Sequence, residues 1–130
     1  MHDTELLQKA HDAQKNSYSP YSKFKVGAAL LGQSGRVYLG TNVENASYGL
    51  SLCAERVAIF KAVSEGEKVF SKIAVVCPSQ GDVCRPCGAC RQVMLEFAPD
   101  LVVIMSNAEG QTETTFLREL LPASFGPLNL

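Results

Sequence analysis

The sequence lacks the features that mark membrane proteins and exported proteins. No apolar run approaches the ~20 residues that a membrane-spanning helix needs. The amino-terminal residues, Met1 to Glu5, are acidic where a signal peptide would be basic. We therefore expect a cytoplasmic protein with no membrane partner.

The sequence also lacks a cluster of lysine or arginine. It has 12 basic and 13 acidic residues, and its formal net charge is −1. Proteins that bind a nucleic-acid backbone usually carry a basic patch or stripe. The charge pattern therefore argues against a nucleic-acid partner and favours a small or neutral ligand.

The length of the chain suits one compact unit. A chain of 130 residues can build a single core, but not a catalytic domain and a separate regulatory one. No linker, internal repeat or low-complexity segment interrupts it. We expect residues 1–130 to form a single catalytic domain.

Apolar periodicity predicts alternating helices and strands. An amphipathic helix opens the chain with Asp3 or Thr4 as its cap, and the Gly32–Gly35 segment has the chemistry of a hairpin turn. The predicted elements are a helix at 4–14, strands at 24–31 and 37–43, a helix at 52–65, a strand at 73–76, a helix at 88–97, a strand at 101–105, an edge strand at 111–115 and a helix at 115–121. This order predicts an α/β fold, a three-layer α/β/α sandwich with a mixed, roughly five-stranded sheet.

The cysteines point to metal or catalytic chemistry. Five is an odd number, and in a reducing compartment a disulfide framework is not expected. Cys87 and Cys90 lie three residues apart at the start of a predicted helix, and Cys53 opens the other central helix two residues before Glu55. Three thiolates leave one position of a tetrahedral zinc free for water, and a nearby carboxylate can accept its proton. This pattern favours a catalytic zinc site.

The same residues fit a known enzyme pattern. In zinc nucleobase deaminases a His or Cys stands two residues before a Glu, and Pro-Cys-x-x-Cys follows farther along the chain. Here Cys53-Ala54-Glu55 is followed by Pro86-Cys87-Gly88-Ala89-Cys90. The sequence thereby resembles the small, homotetrameric class of cytidine deaminases over almost its whole length. The resembling segments are 20–24, 26–30, 40–46, 53–56, 86–92 and 119–122.

The resemblance implies a reaction and a metal site. Cys53, Cys87 and Cys90 would hold one Zn²⁺ per chain, and Glu55 would shuttle protons. The activity implied is hydrolysis of cytidine and 2′-deoxycytidine to uridine and 2′-deoxyuridine plus ammonia, by attack of zinc-bound hydroxide at C4. Such a hydrolase would serve pyrimidine salvage.

Three further residues are candidates for substrate binding. Asn42 and Glu44 lie on the same side of a predicted strand end, where an amide and a carboxylate suit a sugar's hydroxyls. In the resembling family these positions bind ribose, and Phe24 matches the aromatic residue that stacks on the pyrimidine. The alternatives are that Asn42 caps a turn and that Phe24 belongs to the core.

The site also calls for positive charge and for a neighbouring subunit. Three thiolates and a hydroxide on one zinc sum to −2, which Arg56 or Arg91 can offset by bonding to sulfur. The resemblance favours Arg56. It also implies that Tyr48 and Phe125 reach into a neighbour's pocket, so that active sites are shared within a homotetramer.

Other functions remain open at this stage. Cys84 departs from the family, and either Cys84 or Cys77 could complete a four-ligand structural zinc site. Cys87 and Cys90 alone would suit a thiol-disulfide oxidoreductase. A deaminase of an aminopyrimidine antibiotic, or of a base within RNA or DNA, is a closer rival. The Asn42 and Glu44 pair argues against the antibiotic, and the missing basic groove argues against the nucleic acid.

Overall fold

The computed structural model describes residues 1–130 and contains four α-helices, three short 3₁₀ helices and five strands. In chain order these are α1 (Asp3–Ala13), β1 (Gly27–Gly32), β2 (Val37–Thr41), α2 (Ala54–Ser64), β3 (Phe70–Val76), α3 (Gly88–Phe97), β4 (Val102–Ser106), β5 (Thr112–Phe116) and α4 (Leu117–Leu120). No helix combines the length and the apolar character that a membrane crossing requires.

The strands form one mixed sheet in the order β2-β1-β3-β4-β5. β3 and β4 are parallel and are joined through α3, as a parallel pair requires, while the other neighbouring strands are antiparallel. The predicted hairpin is present as β1 and β2. The predicted fold class is confirmed.

Helices cover both faces of the sheet. On one face, Leu6 and Ala10 of α1 pack against Ala29, Ala74 and Ile104 of the three central strands. On the other face, α2, α3 and α4 bury the larger cluster. Its helical members are Ala54, Ala58, Ile59, Ala62, Cys90, Met94, Leu95 and Leu117. The three layers predicted from the sequence are therefore those of the structure.

Some predicted element ends are wrong. The N-cap of α1 is His2, which makes no side-chain capping bond, so neither Asp3 nor Thr4 is the cap. Residues 24–26 precede β1 instead of forming part of it, and β2 ends at Thr41. Residues 24–26 and the residues after Thr41 belong to loops that side-chain hydrogen bonds hold in place. Apolar periodicity gives no signal for such bonds.

Two glycines fix the position of α2. A Cβ at Gly40 of β2 would lie 2.6 Å from the backbone nitrogen of Ala58, so only glycine lets the helix rest this close to the sheet. At its other end α2 stops before Gly66, whose φ of 94° is in the left-handed region. The first turn of α2 is thus held firmly above the sheet.

Candidate active site

A cavity of about 490 Å³ opens beyond the ends of three neighbouring strands of the sheet. Gly27 at the start of β1 pairs with Thr41 at the end of β2 and with Val76 at the end of β3. The residues that precede β1 and those that follow β2 and β3 therefore lie close together. The chain brings the amino ends of α2 and α3 to this place as well, and thirteen residues from these segments line the cavity.

Three sulfur atoms meet beside this cavity, and two of their residues, Cys53 and Cys87, line it. The Sγ of Cys87 lies 3.8 Å from that of Cys53 and 3.4 Å from that of Cys90. All three lie within 4.8 Å of one another, and no fourth His, Cys, Asp or Glu belongs to the group. Cys53 is the N-cap of α2 and Cys87 that of α3, so the two helix starts bring the thiols together.

The spacing of the sulfurs fits one zinc ion. With zinc–sulfur bonds of about 2.3 Å, two sulfurs of a tetrahedral site lie ~3.8 Å apart. The distances of 3.8 and 3.4 Å from the sulfur of Cys87 to the other two are close to this value. A three-sulfur site keeps one tetrahedral position free, as catalytic zinc sites do.

The pKa values of two of the thiols are shifted in opposite directions. A hydrogen bond from Cys90, together with the Arg56 guanidinium, lowers the pKa of Cys53 to about 5. The same bond to Cys53, together with burial, raises the pKa of Cys90. The cluster therefore contains a thiolate at neutral pH, which is the form that binds metals.

Arg56 and Arg91 have different partners. The Nη2 atom of Arg56 donates to the Sγ of Cys53 at 3.5 Å. Arg91 instead donates to the backbone oxygens of Pro86 and Leu120, both at 2.8 Å. Of the two arginines, only Arg56 contacts sulfur.

Glu55 is the buried carboxylate of the site. Its side chain lines the cavity, although the residue is only 3% exposed. Burial raises the pKa of Glu55 to about 7, and the charge on Cys53 adds to the effect. A carboxyl group with this pKa can both accept and donate a proton near neutral pH.

Asn42 lines the same cavity, and its amide is engaged with the 17–26 segment. Its Oδ1 accepts bonds from the Ser17 hydroxyl and from the backbone nitrogen of Val26, and its Nδ2 donates to the Phe24 oxygen at 2.7 Å. The amide can donate one further bond. Asn42 therefore anchors a loop whether or not it also contacts a ligand.

Glu44, like Asn42, both lines the cavity and bonds to the 17–26 segment. It lines the cavity while accepting bonds from the backbone nitrogens of Tyr21 and Ser22, both at 3.1 Å, and from the Ser22 hydroxyl. The bond from that hydroxyl is the main reason why the pKa of Glu44 is lowered. Of the roughly four acceptor sites of a carboxylate, one is left unused, on Oε2.

Of the three predicted aromatic residues, only one lines the zinc cavity. Phe24 lines it and is 40% exposed, so the core alternative is wrong for this residue. Tyr48 lies in an adjoining cavity of about 310 Å³, where its ring is 5.9 Å from that of Tyr21. Phe125 lines neither cavity and is 63% exposed.

The two remaining cysteines lie outside the sulfur cluster. Cys77 is buried at the end of β3, and Cys84 is half-buried at the cavity wall. The Cys84 thiol donates a hydrogen bond to Cys77, which lowers the pKa of Cys77 to about 6 and raises that of Cys84. Neither supplies a fourth ligand, so the structural zinc alternative finds no support.

Comparison with protein families decides what kind of site this is. The description "cytidine and deoxycytidylate deaminase zinc-binding region" belongs to a family model that matches residues 1–106. This chain belongs to that deaminase family. The matched residues include all three thiols of the cluster, so the deaminase metal is zinc and Cys53, Cys87 and Cys90 are placed to hold it.

The deaminase has relatives of similar length. It is 46% identical to the cytidine deaminase of Sporosarcina psychrophila over 126 residues, covering 96% of this chain and 92% of that protein. It is 50% identical to the cytidine deaminase of Halalkalibacterium halodurans over 121 residues, covering 92% and 91%.

Solved structures agree with this relationship. The crystal structure of cytidine deaminase from Burkholderia pseudomallei matches this deaminase with a TM-score of 0.93 and 48% identity, covering 96% of this chain and all of that one. The crystal structure of cytidine deaminase from Mycobacterium tuberculosis matches with a TM-score of 0.83 and 41% identity, covering 97% and 99%.

Two features of the deaminase cavity were not predicted from the sequence. Ser22 binds Glu44, and Arg85 joins Asp82 and Glu113 at the cavity wall, with Nη2–oxygen distances of 3.2 and 2.8 Å. Ser22 lies inside a segment that resembles the family, but no spacing rule connects it to Glu44. Ser22 and Glu44 are 22 residues apart and Arg85 and Glu113 are 28 apart, whereas Arg85 and Asp82 are only three apart.

Proposed function

We propose that this chain hydrolyses cytidine and 2′-deoxycytidine to uridine and 2′-deoxyuridine with release of ammonia. The observation that carries the proposal is the cavity that contains both a three-sulfur zinc site and the buried carboxylate of Glu55. A redox pair of cysteines would need neither the third thiol nor the carboxylate. A structural site would use four protein ligands.

The proposed mechanism gives Glu55 two proton transfers. When bound, zinc lowers the pKa of a water to about 7 and makes it a nucleophile. Glu55 accepts a proton from this water while the oxygen of the water bonds to C4 of the pyrimidine. Glu55 then passes the proton to N3 of the ring. Glu55 then takes the remaining hydroxyl proton and gives it to the amino group. The C4–N bond breaks, ammonia leaves, and the C4 carbonyl of uridine remains.

Substrate recognition is proposed for the residues around the cavity mouth. Phe24 would stack on the pyrimidine, while Asn42 and Glu44 would bind the hydroxyls of the sugar. Their positions on the lining of one cavity support this assignment. Because both polar residues also anchor the 17–26 segment, the pocket wall is already formed before a nucleoside binds.

Glu44→Ala is expected to raise the KM for cytidine by about 10- to 100-fold, since a hydrogen bond to a charged group is worth about 1.5–3 kcal/mol. Steady-state kinetics measures this effect. Ser22→Ala is the matched control, because it removes the hydroxyl that holds Glu44 but keeps the carboxylate. If both variants raise KM equally, Glu44 acts only by anchoring the loop.

Arg56→Gln is expected to weaken zinc binding by about 10- to 100-fold, because partners of metal ligands typically contribute this much. Competition with a chromophoric chelator measures the affinity. Arg91→Gln is the control, and it should instead lower stability by about 1–3 kcal/mol by leaving two carbonyl oxygens without a donor. Equal losses of zinc affinity would contradict the role of Arg56.

We further propose that residues 1–130 act as one catalytic domain within a homotetramer. Tyr48, Leu50 and Phe125 are 74%, 69% and 63% exposed, and a neighbouring subunit that covered them would remove apolar surface from water. Tyr48 and Phe125 would complete a neighbour's active site. Full activity at a sedimentation mass of one chain would contradict this proposal.

A cytoplasmic location is part of the same proposal. All five cysteines are free, and a site made of thiolates needs them reduced. Free thiols persist in the reducing environment of the cytoplasm. The finding that supports this location is therefore the cysteine chemistry.

The function is tested by following the fall in near-ultraviolet absorbance as purified protein acts on cytidine. Turnover should disappear after zinc is removed with a chelator and return when zinc is restored. Magnesium in place of zinc is the control and should not restore it. Protein with one zinc per chain that turns over neither cytidine nor 2′-deoxycytidine would contradict the proposed substrate.

A further inference from the structure

A third cavity, of about 390 Å³, lies apart from the zinc site and has a different chemistry. It is lined by His11, Gln14, Lys15, Lys23, Lys25 and Pro78, and no hydrophobic residue is among them. The first three come from the end of α1 and the turn after it, and the next two from the segment that leads into β1. No carboxylate lines the cavity.

The lysines of this cavity have no protein partners. Some basic side chains elsewhere on the surface are paired, as Arg36 is with Glu65 and Lys72 with Asp3, whereas Lys9 and Lys68 are not. Lys15, Lys23 and Lys25 form no ion pair and donate no side-chain hydrogen bond. None of the three ammonium groups is ion-paired, although that of Lys23 helps the Ser22 hydroxyl to lower the pKa of the Glu44 carboxyl. Together the three groups make a local positive field in a chain whose net charge is −1.

This chemistry selects an anionic ligand with several charges. The volume lies in the range of small-molecule sites, but the apolar lining that organic ligands usually require is missing. A single phosphate group carries about −1.5 to −2 at neutral pH, less than three ammonium groups offer. We propose that this cavity binds the linked phosphates of a polyphosphate anion.

The position of Lys23 connects this cavity with the active site. Its φ of 59° is in the left-handed region, which is uncommon for a residue with a side chain, and its backbone nitrogen donates to Ser19 at 3.0 Å. Its neighbours Ser22 and Phe24 line the zinc cavity. The segment thus directs Lys23 to one cavity while forming a wall of the other.

The experiment is calorimetric titration of tripolyphosphate into the zinc-loaded protein at low salt. One saturable site per chain is expected, and its affinity should fall at higher ionic strength because exposed charges are screened. The double variant Lys15→Gln, Lys25→Gln should weaken binding about tenfold or more, because charged hydrogen bonds are lost. Inorganic phosphate should bind about tenfold more weakly than tripolyphosphate.

The matched control is Lys9→Gln, Lys68→Gln, which removes the same charge from two exposed lysines outside the cavity. Equal weakening in the two double variants would show diffuse attraction and overturn the proposal, as would the absence of saturation. Equal affinity for phosphate would overturn the choice of a polyphosphate. ATP binding more tightly than tripolyphosphate would identify a nucleotide as the source of the phosphates. Cytidine turnover without tripolyphosphate should match the wild type in both double variants, which separates this test from that of the deaminase activity.

Discussion

Glu55→Gln is expected to lower cytidine turnover by about 10³-fold or more while zinc content and fold remain those of the wild type. The glutamine has nearly the same shape and cannot accept the proton that the carboxylate takes from water. Because burial of a carboxylate is unfavourable, the variant should be at least as stable as the wild type. Steady-state kinetics, metal analysis and thermal unfolding measure the three quantities.

Glu96→Gln serves as the matched control for this change. Glu96 is an exposed residue of α3 outside the cavity, so the same loss of a carboxylate should leave turnover unchanged. Near wild-type turnover in Glu55→Gln would show that another group moves the protons. A loss of zinc together with turnover would show instead that Glu55 supports the metal.

Cys53→Ala is expected to abolish stoichiometric zinc binding and to destabilise the protein. Where free zinc is about 1,000 times the dissociation constant, bound metal contributes about 4 kcal/mol of stability. For a chain of this length we expect the midpoint of thermal unfolding to fall by roughly 10 to 20 °C. Metal analysis and calorimetry with and without a chelator measure the effect, and the chelator should bring the wild type towards the variant.

Cys84→Ala is the control for this second change. Cys84 lies at the same cavity wall but outside the sulfur cluster, so its loss should leave zinc stoichiometry at one per chain. Loss of zinc in Cys84→Ala, with retention in Cys53→Ala, would reverse the assignment of ligands. Loss in both would indicate that the site depends on packing around the sulfurs more than on particular ligands.

Much of the fold follows from signals that are local in sequence. The bounds of α3 were predicted as they are found, because a proline precedes its first turn and another follows its end. The hairpin followed from its turn residues, and the sulfur cluster from the way helix starts gather beyond strand ends. The cap and turn rules concern residues a few positions apart, whereas the cluster joins Cys53 to Cys87, 34 positions away, through the order of strands and helices.

The cavity wall could not be predicted in the same way. The bonds of Asn42 to Ser17 and of Glu44 to Ser22 span 25 and 22 residues and join loops that have no apolar period. Such bonds exist only once the sheet has brought the loops together. For this reason the sequence indicated that these residues are important but not that they anchor a loop.

The close approach of Gly40 to α2 limits how this protein can diverge over generations. A methyl group at this position would displace the first turn of the helix, and Cys53 and Glu55 would move with it away from Cys87 and Cys90. We expect substitutions to be tolerated on the outer side of α2, where Phe60 is exposed. On the side that touches β2, larger residues would not fit. Descendants of this chain can acquire new surfaces and partners while the floor of the active site stays as it is.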